Sequence, residues 1–167
     1  MTRTLLRNPV TGDEVALFDP LPRSPGDALV FTTLLHPGAA GSPPHRHARL
    51  TETFEVLEGS VEFRIGSETR SLPAGETVTV RPCRIHGFRN ASAAPALLKC
   101  TVTPGAGFER FLRGMQAAAE TGTANAAGLP RDPRHLARLL LDADFHFPVL
   151  PMGLQRALFR ALAALAS

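Results

Sequence analysis

The stretch PPHRHARLTETFEVLEG, from Pro43 to Gly59, decides the fold of this chain. It places His45 and His47 two residues apart and Glu52 five residues after the second histidine. In an extended strand alternate side chains lie on one face, so both imidazoles can bind the same metal ion. A turn before the strand that begins at Glu52 would bring its carboxylate beside the two rings. The stretch therefore predicts three ligands of one metal site, carried by β-structure.

A fourth ligand comes from a later stretch, PAGETVTVRPCRIHGFRN, from Pro73 to Asn90. His86 opens a separate strand segment there and can complete the set from across a barrel. Three imidazoles and one carboxylate suit Fe(II), Mn(II), Zn(II) or Ni(II), with positions left open for water or substrate. Because such a site is open, we expect catalysis there, with Glu52 and His86 as the candidate catalytic residues.

Strand signals extend outward from these motifs over the first two-thirds of the chain. Turn residues around Gly12, Gly59 and Gly66 separate strand-forming runs, which predicts hairpins between neighbouring strands. The recurrence of short runs bounded by Gly, Pro and Asn is typical of an antiparallel sandwich or barrel. The runs are LLRN, DEVALF, ALVFTTLLH, TFEVLE, SVEFRI, TRSL, ETVTV, HGFRN and ALLKCTVT.

The last third of the chain has helical spacing instead. Apolar residues three and four apart predict a first helix after Gly107, and Asp132 with Pro133 supply the N-cap and first position of a second helix over about 135–141. Pro151 opens a third, amphipathic helix that is too short to cross a bilayer. The apolar residues of the first helix are Phe108, Phe111, Leu112 and Met115, and the stripe of the third is Leu154, Leu158, Leu162 and Leu165.

The two motifs resemble the paired motifs of the cupin superfamily. His45, His47 and Glu52 stand at that family's metal-ligand positions, and Gly59 stands at its glycine after the glutamate. The second motif resembles that of the family in two features. His86 and Asn90 lie four residues apart, and Pro73 and Gly75 form a Pro-x-Gly turn. The chain departs from the family in the loop before His86, which reads RPCRI, so that loop is expected to differ in shape.

The resemblance implies a mainly β fold, the cupin double-stranded β-helix or jelly-roll barrel, followed by C-terminal α-helices. We expect residues 1–104 to form the barrel and residues 105–167 a helical extension packed on it, within one domain. It also implies one divalent metal ion, a small-molecule substrate and a homodimer. The first helix is expected to overhang the barrel mouth, and the apolar stripe of the third is expected to pack on the barrel or on a second subunit.

Function follows less directly, because similar barrels host many reactions. The leading hypothesis is an Fe(II)-type oxygenase acting on a small aromatic or enolic compound. A non-oxidative isomerase or cyclase in small-molecule biosynthesis and a non-catalytic ligand-binding cupin remain alternatives. Strand parity predicts an apolar pocket lined by Phe54, Val56 and Phe88. The sequence has no Trp and no Tyr, so the chemistry must depend on the metal, its water and carboxylates.

Composition excludes several other classes of protein. The net charge is +3, but the arginines are scattered rather than clustered, so we expect no nucleic-acid partner. No apolar run is long enough to cross a membrane, and no secretory signal is evident, which places the protein in the cytoplasm. Cys83 and Cys100 lack CxxC spacing and are expected to be free thiols. The histidines outside the motifs, expected to be surface or capping residues, are His36, His135 and His146.

Overall fold

A computed structural model of the protein describes residues 3–18 and 26–165. Strands occupy the first part of the chain and helices the last part, with one short strand between the second and third helices. The strands are β1 (Arg3–Arg7), β2 (Glu14–Phe18), β3 (Leu29–Leu35), β4 (Arg46–His47), β5 (Thr51–Glu58), β6 (Ser60–Ile65), β7 (Glu68–Pro73), β8 (Thr77–Val80), β9 (His86–Arg89), β10 (Ala96–Thr103) and β11 (Phe145–His146). The helices are α1 (Ala106–Glu120), α2 (Pro133–Asp142) and α3 (Met152–Ala164).

The strands form antiparallel sheets in a jelly-roll arrangement, which confirms the predicted fold class. One sheet has six strands in the order β1-β2-β3-β10-β5-β8, and a second has three in the order β7-β6-β9. Pairing of β10 with both β3 and β5 joins segments far apart in sequence. Alternate residues of β5 are buried, as expected of a strand with one face toward the interior, and this periodicity points Glu52, Phe54 and Val56 inward.

The hairpin predicted around Gly59 is wrong, whereas those around Gly12 and Gly66 are confirmed. Strands β5 and β6 on either side of Gly59 belong to different sheets, so the chain crosses between sheets at this residue. Gly59 has φ +75°, and a Cβ atom there would lie 2.6 Å from the backbone oxygen of Pro95. The crossing therefore requires glycine for both conformation and space.

Both N-terminal features of α2 were correctly predicted. Asp132 is its N-cap, with a side chain that accepts a hydrogen bond from the backbone N–H of Arg134 at 2.9 Å, and Pro133 is its first residue. Helix α1 meets the β-structure through Phe108, whose ring stacks on Phe31 of β3 with centroids 5.8 Å apart. Helix α1 thus covers part of the open side of the six-stranded sheet.

The apolar stripe of α3 is not covered by the barrel of the same chain, the first of its two expected partners. Its leucines are between 36% and 56% exposed, so packing on a second subunit stays a prediction. Helix α3 docks through a neighbouring side, where Gln155 is buried and hydrogen-bonds the backbone of Phe147 and Leu150. No helix among residues 3–18 and 26–165 combines the length and the apolar character that a membrane span requires.

Candidate metal centre

Four side chains predicted as ligands converge on one point inside the β-structure. Glu52 Oε2 lies 2.7 Å from His86 Nε2 and 3.1 Å from His47 Nε2, and His47 Nε2 lies 3.1 Å from His45 Nε2. The four potential ligand atoms all lie within 4.8 Å of one another, and each residue is at most 3% exposed. The cluster can therefore hold one metal ion.

Backbone pairing brings the two motifs together. His45, just before β4, and His86, at the start of β9, exchange two backbone hydrogen bonds of 2.8 Å as an isolated antiparallel bridge. Glu52 lies at the start of β5, one short turn after β4, and its side chain points inward with the buried set of that strand. Three separate strand segments thus supply the four side chains, as the sequence spacing predicted.

All three imidazoles are oriented by a hydrogen bond at the nitrogen that faces away from the cluster. A carbonyl oxygen only accepts, so each Nδ1 must donate, and in the neutral ring the Nε2 lone pair then points at the cluster. Ligating histidines in metal sites are held in this way. The acceptors are the carbonyl of Pro43 for His45 at 2.8 Å, that of Ala143 for His47 at 2.8 Å and that of Arg84 for His86 at 3.0 Å.

The donor atoms of the cluster favour a bound cation on electrostatic grounds. Glu52 Oε2 and His86 Nε2 are fully buried and have no hydrogen-bond partner, because their 2.7 Å approach lacks the direction of a hydrogen bond. With neutral rings, four acceptor atoms face one another without a donor, and buried polar atoms are rarely left in that state. A divalent ion at their common centre would satisfy all four, so these residues fit a metal site.

Protonation can relieve the same repulsion only in part. Burial and the neighbouring His86 and His47 lower the pKa of His45 to about 3, so this ring stays neutral. Burial also opposes charge on His47 and Glu52, but their mutual contact outweighs it. The pKa of His47 is raised overall, and the pKa of Glu52 lies well below its usual range. In the metal-free cluster His47, beside the carboxylate, therefore holds a proton more readily than an ordinary imidazole does.

A cavity of about 660 Å³ opens beside the cluster and reaches His45 and Glu52. Phe54 and Phe88 line it, in line with their strand parity. Val56 does not appear among the lining residues, because it lies two residues farther along β5 and is fully buried in the hydrophobic core. The cavity thus joins an apolar chamber to the candidate ligands.

Comparison with known families agrees with this architecture. A family model described as a cupin domain matches residues 31–103, which include all four candidate ligands. The chain belongs to the cupin superfamily. Among curated proteins, no sequence matches this cupin.

Solved structures similar to this cupin include an RmlC-like cupin from Shewanella frigidimarina. That protein is 19% identical over 62% of this chain and 85% of its own, with a TM-score of 0.51, and it shows the shared fold. TT1209 from Thermus thermophilus is 31% identical over 57% of this chain and 86% of its own, with a TM-score of 0.47. An uncharacterized conserved protein with a double-stranded β-helix domain from Klebsiella pneumoniae is 26% identical over 51% of this chain and 73% of its own, with a TM-score of 0.46.

A segment outside the cupin match contributes directly to the site. Residues 143–147, here called the strap, connect α2 toward α3 and include β11, which pairs antiparallel with β4 so that Phe145 faces His47. Besides the bond from His47 Nδ1 to Ala143, the carbonyl of Asp144 lies 3.2 Å from the same nitrogen. The Asp144 carboxylate accepts a hydrogen bond from the backbone N–H of Arg49 at 2.7 Å. Sequence analysis missed the strap, because its two-residue strand is too short to give a periodic signal.

The remaining histidines and the thiols lie outside the cluster. His36 is exposed at the cavity rim and His135 is half-buried on α2. His146 is buried, not a surface residue, because it belongs to β11, and its Nδ1 lies 3.0 Å from the carbonyl oxygen of Asp144. Both cysteines are free, as expected. Cys83 is exposed, whereas Cys100 lines the cavity, and burial raises the pKa of its thiol.

Proposed function

We propose that this cupin is a metal-dependent enzyme acting on a small organic molecule, with Fe(II) as the metal and an oxygenase reaction. The observation that carries the proposal is the set of four buried acceptor atoms within 4.8 Å of one another, next to a cavity of about 660 Å³. Three histidines and one glutamate leave positions open on a six-coordinate ion, as catalytic sites require.

The protein's own residues would perform three tasks. His45, His47 and His86 would donate Nε2 lone pairs, each ring held by its Nδ1 hydrogen bond. The charge of Glu52 would offset that of the ion in a buried site. A bound divalent ion would supply Lewis acidity and, in the case of iron, redox chemistry with O2. We therefore assign catalytic roles to Glu52 and His86 as ligands.

The apolar walls would keep water from the reacting groups. No Tyr or Trp exists in the sequence, so neither a phenol nor an indole can take part. Among the described residues, the ionisable groups along the cavity other than His45 and Glu52 are Asp13 and His36 at the exposed rim and the thiol of Cys100. A reaction that relies on the ion and its ligands, rather than on a separate acid and base, suits this lining.

The test is anaerobic reconstitution with Fe(II), Mn(II), Zn(II) or Ni(II), followed by metal analysis and O2 uptake with a panel of small organic compounds. We expect one ion per chain and O2 uptake with Fe(II) for at least one compound. Turnover without O2 would favour an isomerase or cyclase, and ligand binding without turnover would favour a binding protein. His47→Ala should abolish both metal and activity, whereas His135→Ala, outside the cluster, should change neither.

We also propose that the protein is a homodimer, as its resemblance to small cupins implies. Light scattering at micromolar concentration should give twice the mass of one chain. A mass of 17.9 kDa, that of a single chain, would contradict the proposal.

A further inference from the structure

The cavity beside the metal centre has a wall of unusual composition. Seven of the ten phenylalanines in the sequence line it. Phe31, Phe54 and Phe88 come from the barrel strands, and the other four come from the helical extension. Aromatic rings therefore surround the space on the barrel side and on the extension side.

Some of these rings stack on one another, but others are tilted. The centroids of Phe54 and Phe88 are 5.6 Å apart with planes tilted by 58°, and those of Phe108 and Phe111 are 5.7 Å apart with planes tilted by 55°. Tilted rings present both faces and edges toward the space between them. An aromatic guest can then make offset-stacked and edge-to-face contacts, which are the favourable geometries for ring pairs.

Positive charge is absent from the wall. Among residues 3–18 and 26–165, no lysine or arginine lines the cavity, although the sequence contains 18 such residues. The ionisable groups at its opening are Asp13 and His36, both exposed to solvent. In the metal-free protein, an anionic group carried into the chamber would lose its hydration without gaining a lysine or arginine partner, which is strongly unfavourable.

We propose that the cavity binds an uncharged aromatic compound, with its ring system among the phenylalanines and its oxygen atoms toward His45 and Glu52. The proposal rests on the proposed function only for the oxygen end, because the ring contacts do not require the ion. A cavity of about 660 Å³ is within the usual size range for such ligands. The same wall offers no lysine or arginine to the charged groups of phosphorylated sugars and other multiply charged compounds.

The test compares 2-naphthol with 2-naphthyl phosphate, which share a ring system and differ in charge. Binding is measured by the fluorescence of the naphthalene ring, against which a protein without Trp or Tyr gives almost no background. Each probe is titrated into metal-free and metal-loaded protein. We expect 2-naphthol to bind at least about tenfold more tightly than 2-naphthyl phosphate in the metal-free form, where no ion can pair with the phosphate.

Matched variants locate the binding site. Phe111 and Phe147 line the cavity and are partly buried, so Phe111→Leu and Phe147→Leu should each weaken 2-naphthol binding several-fold with the fold retained. Phe159 on α3 is equally half-buried in the core but does not line the cavity, so Phe159→Leu should leave binding unchanged. Circular dichroism spectra of all three variants check the fold.

The outcomes separate this inference from the proposed function. Failure to bind a metal together with retained binding of 2-naphthol would overturn the proposed function and leave the cavity assignment intact. Metal binding without 2-naphthol binding, equal affinity of the metal-free form for the phosphate, or the same loss in Phe159→Leu as in Phe111→Leu would overturn the cavity assignment.

Discussion

The ring of Phe145 lies parallel to the imidazole of His45, with centroids 4.0 Å apart and planes 6° from parallel. The same phenyl ring meets His47 edge-on at 5.6 Å. One residue of the strap therefore contacts two candidate ligands at once and restricts the rotation of both. Because ligand orientation determines how well the lone pairs converge, Phe145 is a positioning residue of the metal centre.

Replacement of Phe145 by leucine should loosen His45 without removing any ligand. We expect Phe145→Leu to lower metal affinity by about tenfold, the lower end of the effect of removing groups that orient ligands. Competition with a chromophoric chelator measures the affinity. The histidine NMR signals of the metal-free protein should also shift, because His45 loses the ring current of the phenyl group. An unchanged affinity, or an equal loss in Phe159→Leu, would contradict the positioning role.

Metal loading should stabilise the folded protein, because the ligand set exists only in the folded state. A free-ion concentration 100 times the dissociation constant adds about 2.7 kcal/mol to the free energy of unfolding. For a chain of this size that corresponds to a rise in Tm of about 5–10 °C. Differential scanning calorimetry with and without a chelator measures it, and Glu52→Gln, which removes the ligand charge, should abolish the rise. Equal stabilisation of wild type and Glu52→Gln would place the ion elsewhere.

Metal retention should depend on pH through His47. Its raised pKa means that a larger fraction of His47 is protonated at a given pH than for an ordinary imidazole, and a protonated ring cannot bind a metal. His45, with its pKa of about 3, does not contribute to this competition above about pH 5. Metal content after dialysis should therefore be full at about pH 8. As the pH is lowered, the loss of metal should begin above about pH 6.5. Loss that begins only below about pH 5 would show that His47 carries no such proton.

The crossing between sheets at Gly59 gives a test of the fold. Gly59→Ala should lower the free energy of unfolding by about 1–3 kcal/mol through backbone strain alone, because alanine is strained at φ +75°. Its Cβ would also meet the backbone of Pro95, which adds to the loss. Gly153 in α3 has open space around its Cβ position and does not have a positive φ. Gly153→Ala should leave stability unchanged or raise it by up to about 1 kcal/mol. Urea denaturation measures both, and equal effects would contradict the assigned crossing.

The ligand set could be predicted from sequence because its geometry is mostly local. His45 and His47 share a face through strand parity, and Glu52 follows after one turn, so spacing alone brings three of the four together. The N-cap at Asp132 was equally predictable, since capping depends on a few adjacent residues. Resemblance to a known family supplied the long-range partner, His86.

Features that depend on distant contacts could not be predicted in this way. The hydrogen bond from His47 to Ala143 spans 96 residues, and β11 has only two residues, too few for a periodic signal. The stripe of α3 has the expected spacing but is not covered by the barrel, because burial of Gln155 against Phe147 and Leu150 turns a neighbouring side of the helix inward. Periodicity identifies an apolar face and does not say what covers it.

The sequence separation of 96 residues between His47 and Ala143 has a consequence for biosynthesis. A ribosome makes all four candidate ligands by residue 86, yet the carbonyls that orient His47 belong to residues 143 and 144. A nascent chain that has just exposed its ligands would thus hold an ion with one imidazole still free to rotate. Tight metal binding would therefore follow the synthesis and folding of residues 143 and 144, which orient His47.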